Sequence, residues 1–501
     1  MSSCLDIKSL ARTTLLCGLL SFPCYGYDGP DGYQLLRVPA ATVADRALLS
    51  ELDAEIAGVE GDKVVLVVPR NDARAARTTR SLEGIKGVEV LSEDVDALFA
   101  AVTNRKDMDA YHNYEEIVSE LKGYAQRFPN LCTYRVIGKT FEGRDIPALR
   151  MATPGESTWG KPNAVFMGCH HAREWISVEV PLAIAGTFLD LYDFDPRVKS
   201  ALDRRTIWIV PAVNPDGLNY SHSEQRYWRK NRRVNSDGSF GVDPNRNYGY
   251  EWGGAGASDS PWSNTYRGPE AFSEPCTQAI RDLARAESLN ASISYHSYGQ
   301  LILYPWSYGY DESPDDAVFA PIAQKVAAVN HYTPQQSSAL YPSSGDTDDF
   351  LYSDHHSVSF TIELAQDFIP SASQIPEICT ANVTAALVFL EESAEAFPLV
   401  QHQPVSGASA ESTTPIQVRT IDGAKPGFDV QGVTLVVHDG AVESSVELLQ
   451  DPENPGTFTG ELPAQEAGST IEYFFGVSAV DGRTGRTPWT HEWSYQVEAA
   501  H

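Results

Sequence analysis

Positive charge is what this chain has least of. Its 38 Lys and Arg stand against 67 Asp and Glu, a formal net charge of −29. So acidic a surface repels a phosphate backbone, which excludes nucleic acid as a partner. Most of that excess is read as a solvated face. Cysteine is scarce too: of seven, only Cys132, Cys169, Cys276 and Cys379 lie beyond residue 26. Four thiols scattered over a long chain are not a staple framework, and no Cys-x-x-Cys pair is present to close a structural metal site. Cys276 with Cys379 is the one pairing considered, and Cys169 is read as apolar filler. Long apolar runs are missing, so no membrane span is expected. The short run Thr14–Phe22 follows Lys8 and Arg12 and precedes the small-residue site Cys24-Tyr25-Gly26. Residues 1–26 therefore read as a signal peptide, and the protein as secreted.

What is present is ample core material. The 501 residues are 42% hydrophobic, enough for two to four packed domains. Residues 27–106 hold strand patterns at Gly32–Val38, Lys63–Val68 and Val88–Leu91, with helices expected at Val43–Ala57 and Arg74–Leu82. That order suits a small α+β open sandwich. From 107 to 398, near-continuous apolar runs (Ala164–Gly168, Thr206–Val213, Ser292–Tyr295, Ser359–Leu364) alternate with helical stretches at Tyr114–Arg127, Ser177–Tyr192, Asp315–Asn330 and Ile375–Phe397. Runs buried on both faces predict an α/β fold, a mixed central sheet flanked by helices. A linker rich in Pro, Ser, Thr and Gly is expected at 399–414, and short alternating strands beyond 415 predict an all-β sandwich to residue 501.

Chemistry concentrates after the first of those apolar runs. His171 and Glu174 stand three apart, and a solitary His296 ends a later run. Two neutral nitrogens and one carboxylate are the three-ligand set of a catalytic Zn²⁺ site, which keeps one position open for water. His-x-x-Glu alone is a weak pattern, and a lone strand histidine is usually just a satisfied core residue. Other blocks accompany it: Asn214-Pro215-Asp216-Gly217, Trp228-Arg229-Lys230, Asp243-Pro244-Asn245-Arg246-Asn247, Tyr295-His296-Ser297-Tyr298 and Ser359-Phe360-Thr361-Ile362-Glu363-Leu364. His171, Glu174, Asn214, His296 and Glu363 all fall at or just beyond strand ends, where open α/β sheets bind ligands.

In this order and approximate spacing, over roughly residues 107–397, the blocks resemble the zinc metallocarboxypeptidases of the pancreatic carboxypeptidase A/B type. The resemblance implies one Zn²⁺ on His171, Glu174 and His296, Glu363 as general base and Arg229 as the cation facing the oxyanion. It implies that Asn245 and Arg246 clamp the substrate's terminal carboxylate, that Tyr341 closes over it, and that Arg173 and Tyr298 bind substrate. A gapless match from Tyr341 to Tyr352 puts Asp348 at the floor of the side-chain pocket, which implies a preference for C-terminal Lys or Arg, as in B-type enzymes. Asp346 departs from the small residue usual there, which leaves a mixed A/B preference open. Residues 27–106 resemble an activation prosegment, and the dibasic stretch Thr103–Asp107 reads as the site of an activating protease. The bridge the family would carry is absent, because Ser239 and Trp262 occupy those positions.

The expected partners are peptide and protein C-termini and the activating protease, with no nucleic acid, no membrane span and a monomeric chain. Two other readings stay open at this point: a zinc amidase on cell-wall peptides, which would not need Arg246, and a non-catalytic surface-binding protein. Loss of Glu363 or Arg229 would mark the latter, and neither is lost.

Overall fold

The computed structural model describes residues 32–498 apart from gaps, the longest at 98–108, 153–161 and 421–429. The expected signal peptide, the junction at 103–107 and most of the helix expected over 74–82 lie outside the described residues. The N-terminal sheet is antiparallel, in the order β2-β3-β1-β4, from β1 (Tyr33–Pro39), β2 (Glu55–Glu60), β3 (Lys63–Pro69) and β4 (Glu89–Ser92). The helix expected over Val43–Ala57 stops at Ser50, and Glu55–Glu60 becomes an edge strand instead. Ile56, Gly58 and Val59 pair there with the apolar run of β3, and that pairing overrides the helical pattern.

The central sheet has eight strands, in the order β11-β10-β12-β9-β7-β8-β6-β5. They are β5 (Cys132–Lys139), β6 (Asp145–Met151), β7 (Asn163–Met167), β8 (Thr206–Val210), β9 (Leu289–Ser297), β10 (Leu301–Tyr304), β11 (Thr333–Gln336) and β12 (Val358–Leu364). The inner four, β12-β9-β7-β8, run parallel, while β6 and β10 lie antiparallel to them. Alternate residues feed opposite faces. Phe166, Ile209, Ile293 and Phe360 enter a core covered by the helices Ile176–Leu191, Asp316–Asn330 and Ile375–Ser393. Val165, Met167, Trp208 and Val210 pack on the other face, under the helices Pro275–Glu287 and Thr347–His355. Truncating one fully buried ring such as Phe166 would cost about 3–5 kcal/mol.

The two faces also dispose of the considered disulfide. Cys276 belongs to one core and Cys379 to the other, so the sheet stands between them, and all four cysteines are buried free thiols. Beyond residue 399 lie two β-sheets sharing one core of Val418, Leu435, Phe458, Tyr473 and Phe475. The stretch expected as a linker contributes strands to them: Val400–His402 pairs with Thr414–Thr420, and Ala408–Ser409 with Trp493–Glu498. Its Pro-rich composition allows this because both strands are short edge pieces. Among the described residues no helix is long and apolar enough to cross a membrane.

The helix Tyr114–Arg127 opens with a capping box between Asn113 and Glu116. Just before it, His112 bonds Glu179 of the helix Ile176–Leu191 at 2.7 Å through Nδ1. That bond, working against burial, raises the imidazole to about 9. A raised folded-state value stabilises below the ordinary 6.5 and is lost as pH climbs toward 9. Thermal melts of H112N should therefore show a smaller loss of stability than the parent between pH 6.5 and 9; an unchanged pH slope would refute the pairing.

Candidate active site

The site is built where β7, β9 and β12 end side by side. After β7 the chain turns at Gly168, where an added Cβ would stand 2.0 Å from the Ser177 carbonyl oxygen, so only glycine fits. Cys169 follows with φ 54°, and its N–H donates to Ser177 Oγ at 2.9 Å. This tight crossing delivers His171 and Glu174 to the strand ends. β9 carries His296, and the parallel register pairs it with Glu363 of β12.

His171, Glu174 and His296 are all buried, and their ligand atoms lie within 4.8 Å of one another. Nδ1 of His171 faces Nδ1 of His296 at 3.1 Å, and the Glu174 carboxylate reaches both, at 2.8 and 3.0 Å. Two lone pairs directed at each other repel unless a cation lies between them. Nitrogens held ~2.0 Å from zinc at a tetrahedral angle stand ~3.3 Å apart, so the spacing fits. Burial alone would raise Glu174, but the two imidazoles outweigh it and hold the carboxyl well below its usual range. Each imidazole is also anchored from behind. His171 donates from Nε2 to Asp243 Oδ1 at 3.2 Å, and His296 from Nε2 to Ser294 Oγ at 2.9 Å.

One cleft is lined by His171, His296, Asn245, Arg246, Tyr341 and Glu363. Half-buried Glu363 has an Oε2 without a hydrogen-bond donor, and burial, then the charge of Glu174, pushes its carboxyl well above the usual range. Arg229 is gripped by Asp243 Oδ2 through Nε and Nη2, at 3.0 and 2.8 Å, and its Nη1 lies 4.0 Å from Glu174. Arg246 anchors two donors on the carbonyls of Gly256 and Asn245, at 2.9 and 2.6 Å. Arg173 lies off the cleft lining. It sits buried between the rings of Tyr227 and Phe368, and Tyr298 packs edge-on against the same Phe368.

The carboxylates of the acidic loop stand at different depths. Asp346, the N-cap of the helix Thr347–His355, lines the cleft, whereas Asp348 stands behind it beside Thr361. Both carboxylate oxygens of buried Asp348 lack a well-aligned donor. Burial, then Asp346, pushes this carboxyl far up. Sequence reading also passed over Asp243, although it opens the Asp-Pro-Asn-Arg block. It missed Glu55 altogether: this buried carboxylate of β2 pairs with Arg173, meets Arg229 Nη1 at 3.0 Å and accepts from Asn264 at 3.1 Å. An acid opening a short, largely apolar strand gives no local signal of so distant a partner.

Such a centre has three protein ligands, an open side and a carboxylate and guanidinium beside it. That makes it a catalytic rather than a structural metal site, of the hydrolytic class. The comparisons narrow the class. A family model described as zinc carboxypeptidase matches residues 117–385. Carboxypeptidase A1 of Rattus norvegicus is 31% identical over 425 residues, covering 77% of this chain and 99% of its own. Carboxypeptidase B of Homo sapiens is 35% identical over 292 residues, 55% of this chain and 69% of its own. The crystal structure of carboxypeptidase A from Helicoverpa armigera superposes with a TM-score of 0.63 at 26% identity, covering 72% of this chain and 98% of that one. The chain belongs to the zinc carboxypeptidase family and is a metallocarboxypeptidase with zinc as its cofactor.

Metal analysis should give one zinc per chain in the parent and in E363Q, and well under half that in H171A after dialysis. Equal zinc in parent and H171A would place the metal elsewhere.

Proposed function

We propose that the chain is a secreted, monomeric zymogen whose processed form removes C-terminal Lys and Arg from peptides and proteins. One observation carries the reading: Glu363, Asn245, Arg246 and Tyr341 share a single cleft with the metal-binding histidines. An exopeptidase needs a fixed cation for the terminal carboxylate at a set distance from its hydrolytic centre. A guanidinium grips that carboxylate through paired bonds. In this reading Asn245 and Arg246 hold the substrate's α-carboxylate, and Tyr341 closes over it. Arg173 and Tyr298 contact residues further upstream. The scissile carbonyl then lies before Arg229, whose charge, fixed by Asp243, meets the oxyanion as it develops. Glu363 takes a proton from the attacking water and passes it to the leaving amine. Zinc on His171, Glu174 and His296 would lower the pKa of a bound water and polarise the carbonyl.

The preference for a cationic side chain rests on Asp348, with Asp346 nearer the opening. A buried carboxyl without aligned donors is costly, and an entering ammonium or guanidinium offsets that cost. The zymogen reading assigns 27–106 to a prosegment, 107–398 to the peptidase and 415–501 to an accessory sandwich, with an activating protease acting at 103–107. Glu55 supports it, because this one carboxylate occupies both Arg173 and Arg229, and Tyr341 packs against the N-terminal core.

The test measures release from peptides ending in Lys, Arg, Phe or Leu, and from C-terminal amides, before and after limited trypsin treatment. Lys and Arg should leave fastest, amides should not react, and proteolysis should raise the rate. No release by the processed chain would sink the reading; faster release of Phe or Leu would sink the preference. D348A should cost about a hundredfold in kcat/KM for Arg against Leu, the scale of a buried charge pair. E363Q should lower kcat by at least about a thousandfold with zinc retained. E55A should raise the activity of the uncut chain about tenfold or more, and an uncut E55A as slow as the parent would contradict the lock.

A further inference from the structure

His170 has no part in the steps above, yet it lies fully buried between the metal ligands and the carboxylate clamp. Its ring stacks on His296, with centroids 5.5 Å apart at 16°. Nδ1 lies 3.1 Å from Ser294 Oγ; Nε2 lies 3.1 Å from Thr347 Oγ1 and 2.9 Å from Tyr248 Oη. These contacts belong to a longer chain whose hydrogens have one consistent direction. At the metal end, His296 offers Nδ1 to the ligand set, so in its neutral form the proton sits on Nε2 and is donated to Ser294 Oγ. At the far end, the Thr347 backbone N–H and hydroxyl approach the same atom of Asn245, at 3.0 and 2.8 Å. A backbone N–H only donates, so that atom is the amide oxygen Oδ1. The Thr347 hydroxyl therefore donates as well, and its oxygen is left to accept from His170 Nε2–H, which Tyr248 shares. His170 Nδ1 is then bare and accepts the Ser294 proton. The relay runs unbroken from His296 through Ser294, His170 and Thr347 to Asn245, whose Nδ2 remains as the donor for the cleft.

We propose that His170 is a positioning residue that ties the metal centre to the substrate clamp, holding His296 with Nδ1 bare and Asn245 with Nδ2 turned to the substrate's terminal carboxylate. The inference rests on the reading of Asn245 as part of that clamp. An apolar side chain of similar volume would fill the space, but it would strand the buried hydroxyls of Ser294, Thr347 and Tyr248. Histidine satisfies all three because it accepts on one edge and donates on the other. Neighbouring hydrogen bonds in such a chain polarise one another, so a break at one link is felt at the next.

The test uses the full chain after limited trypsin treatment, comparing the parent with H170L, H170Q, S294A, T347V and the S294A/T347V double variant. Zinc affinity is measured by chelator competition, and kcat and KM separately on the best peptide. Inhibition is measured with the amino acid released fastest and with its decarboxylated amine. H170L should raise KM about tenfold, the scale of one lost hydrogen bond, with kcat within about threefold. It should weaken zinc binding about tenfold, as loss of an outer partner does. Inhibition by the amino acid should weaken, and inhibition by the amine should not. H170Q, which can accept at Oε1 and donate at Nε2, should recover most of each loss. The S294A/T347V double variant should be no worse than the worse single, because both cut one chain. The inference falls if H170L matches the parent in KM and zinc affinity, if acid and amine inhibition weaken equally, or if the S294A and T347V effects simply add. Should H170L fail to fold, S294A and T347V each remove one hydroxyl and decide the same KM question. A parent that cleaves C-terminal amides as fast as free acids would instead refute the clamp itself.

Discussion

Two imidazole nitrogens held face to face across one carboxylate are the constraint around which this molecule is arranged. Without a cation, His171 and His296 would present lone pairs to each other at 3.1 Å, in a place from which water is largely excluded. Holding them there takes Gly168 at a turn no other residue fits, the parallel register of β9 against β12, and the backing of Asp243 and Ser294. Asp243 serves twice, since its second oxygen fixes Arg229. A single carboxylate thereby sets the distance between the metal site and the neighbouring fixed charge. Burial would push the acid up, and Arg229 and His171 outweigh it, so it stays ionised for both tasks.

The same economy marks the contact with the N-terminal sheet. Arg173 and Arg229 are buried cations, and a buried cation without an anion is costly. Glu55 supplies the anion from another part of the chain. Removing the N-terminal unit would leave Arg173 without its carboxylate and Arg229 with Asp243 alone, and in the proposed reading peptide substrate takes the vacated place. Inhibition and catalysis would then draw on the same charges.

Much of this was legible in the sequence, for identifiable reasons. The inner strands are buried on both faces, so their apolar runs stand out, and the helix Tyr114–Arg127 was placed to the residue by its period. His171, Glu174 and His296 stood out because the accompanying blocks lift a pattern that is weak alone, and the structure brings their ligand atoms within 4.8 Å of one another. Contacts formed only by long-range folding were not legible. Glu55 sits in a segment that reads as helix, and its strand identity comes from pairing with β3. His170 drew no reading from the sequence, since nothing beside it announces Thr347, 177 residues away. The place of Asp348 behind the lining, with Asp346 in front, follows from how the helix Thr347–His355 packs, which a gapless match does not specify.

The central claim is that His171, Glu174 and His296 share one zinc ion, with both imidazoles bound through Nδ1. Anomalous diffraction at the zinc edge from crystals of the protein tests it most directly. The account predicts one strong peak about 2.1 Å from each Nδ1 and from a Glu174 oxygen, with Glu363 beyond the open side. A peak elsewhere, or a metal bound through either Nε2, would contradict it.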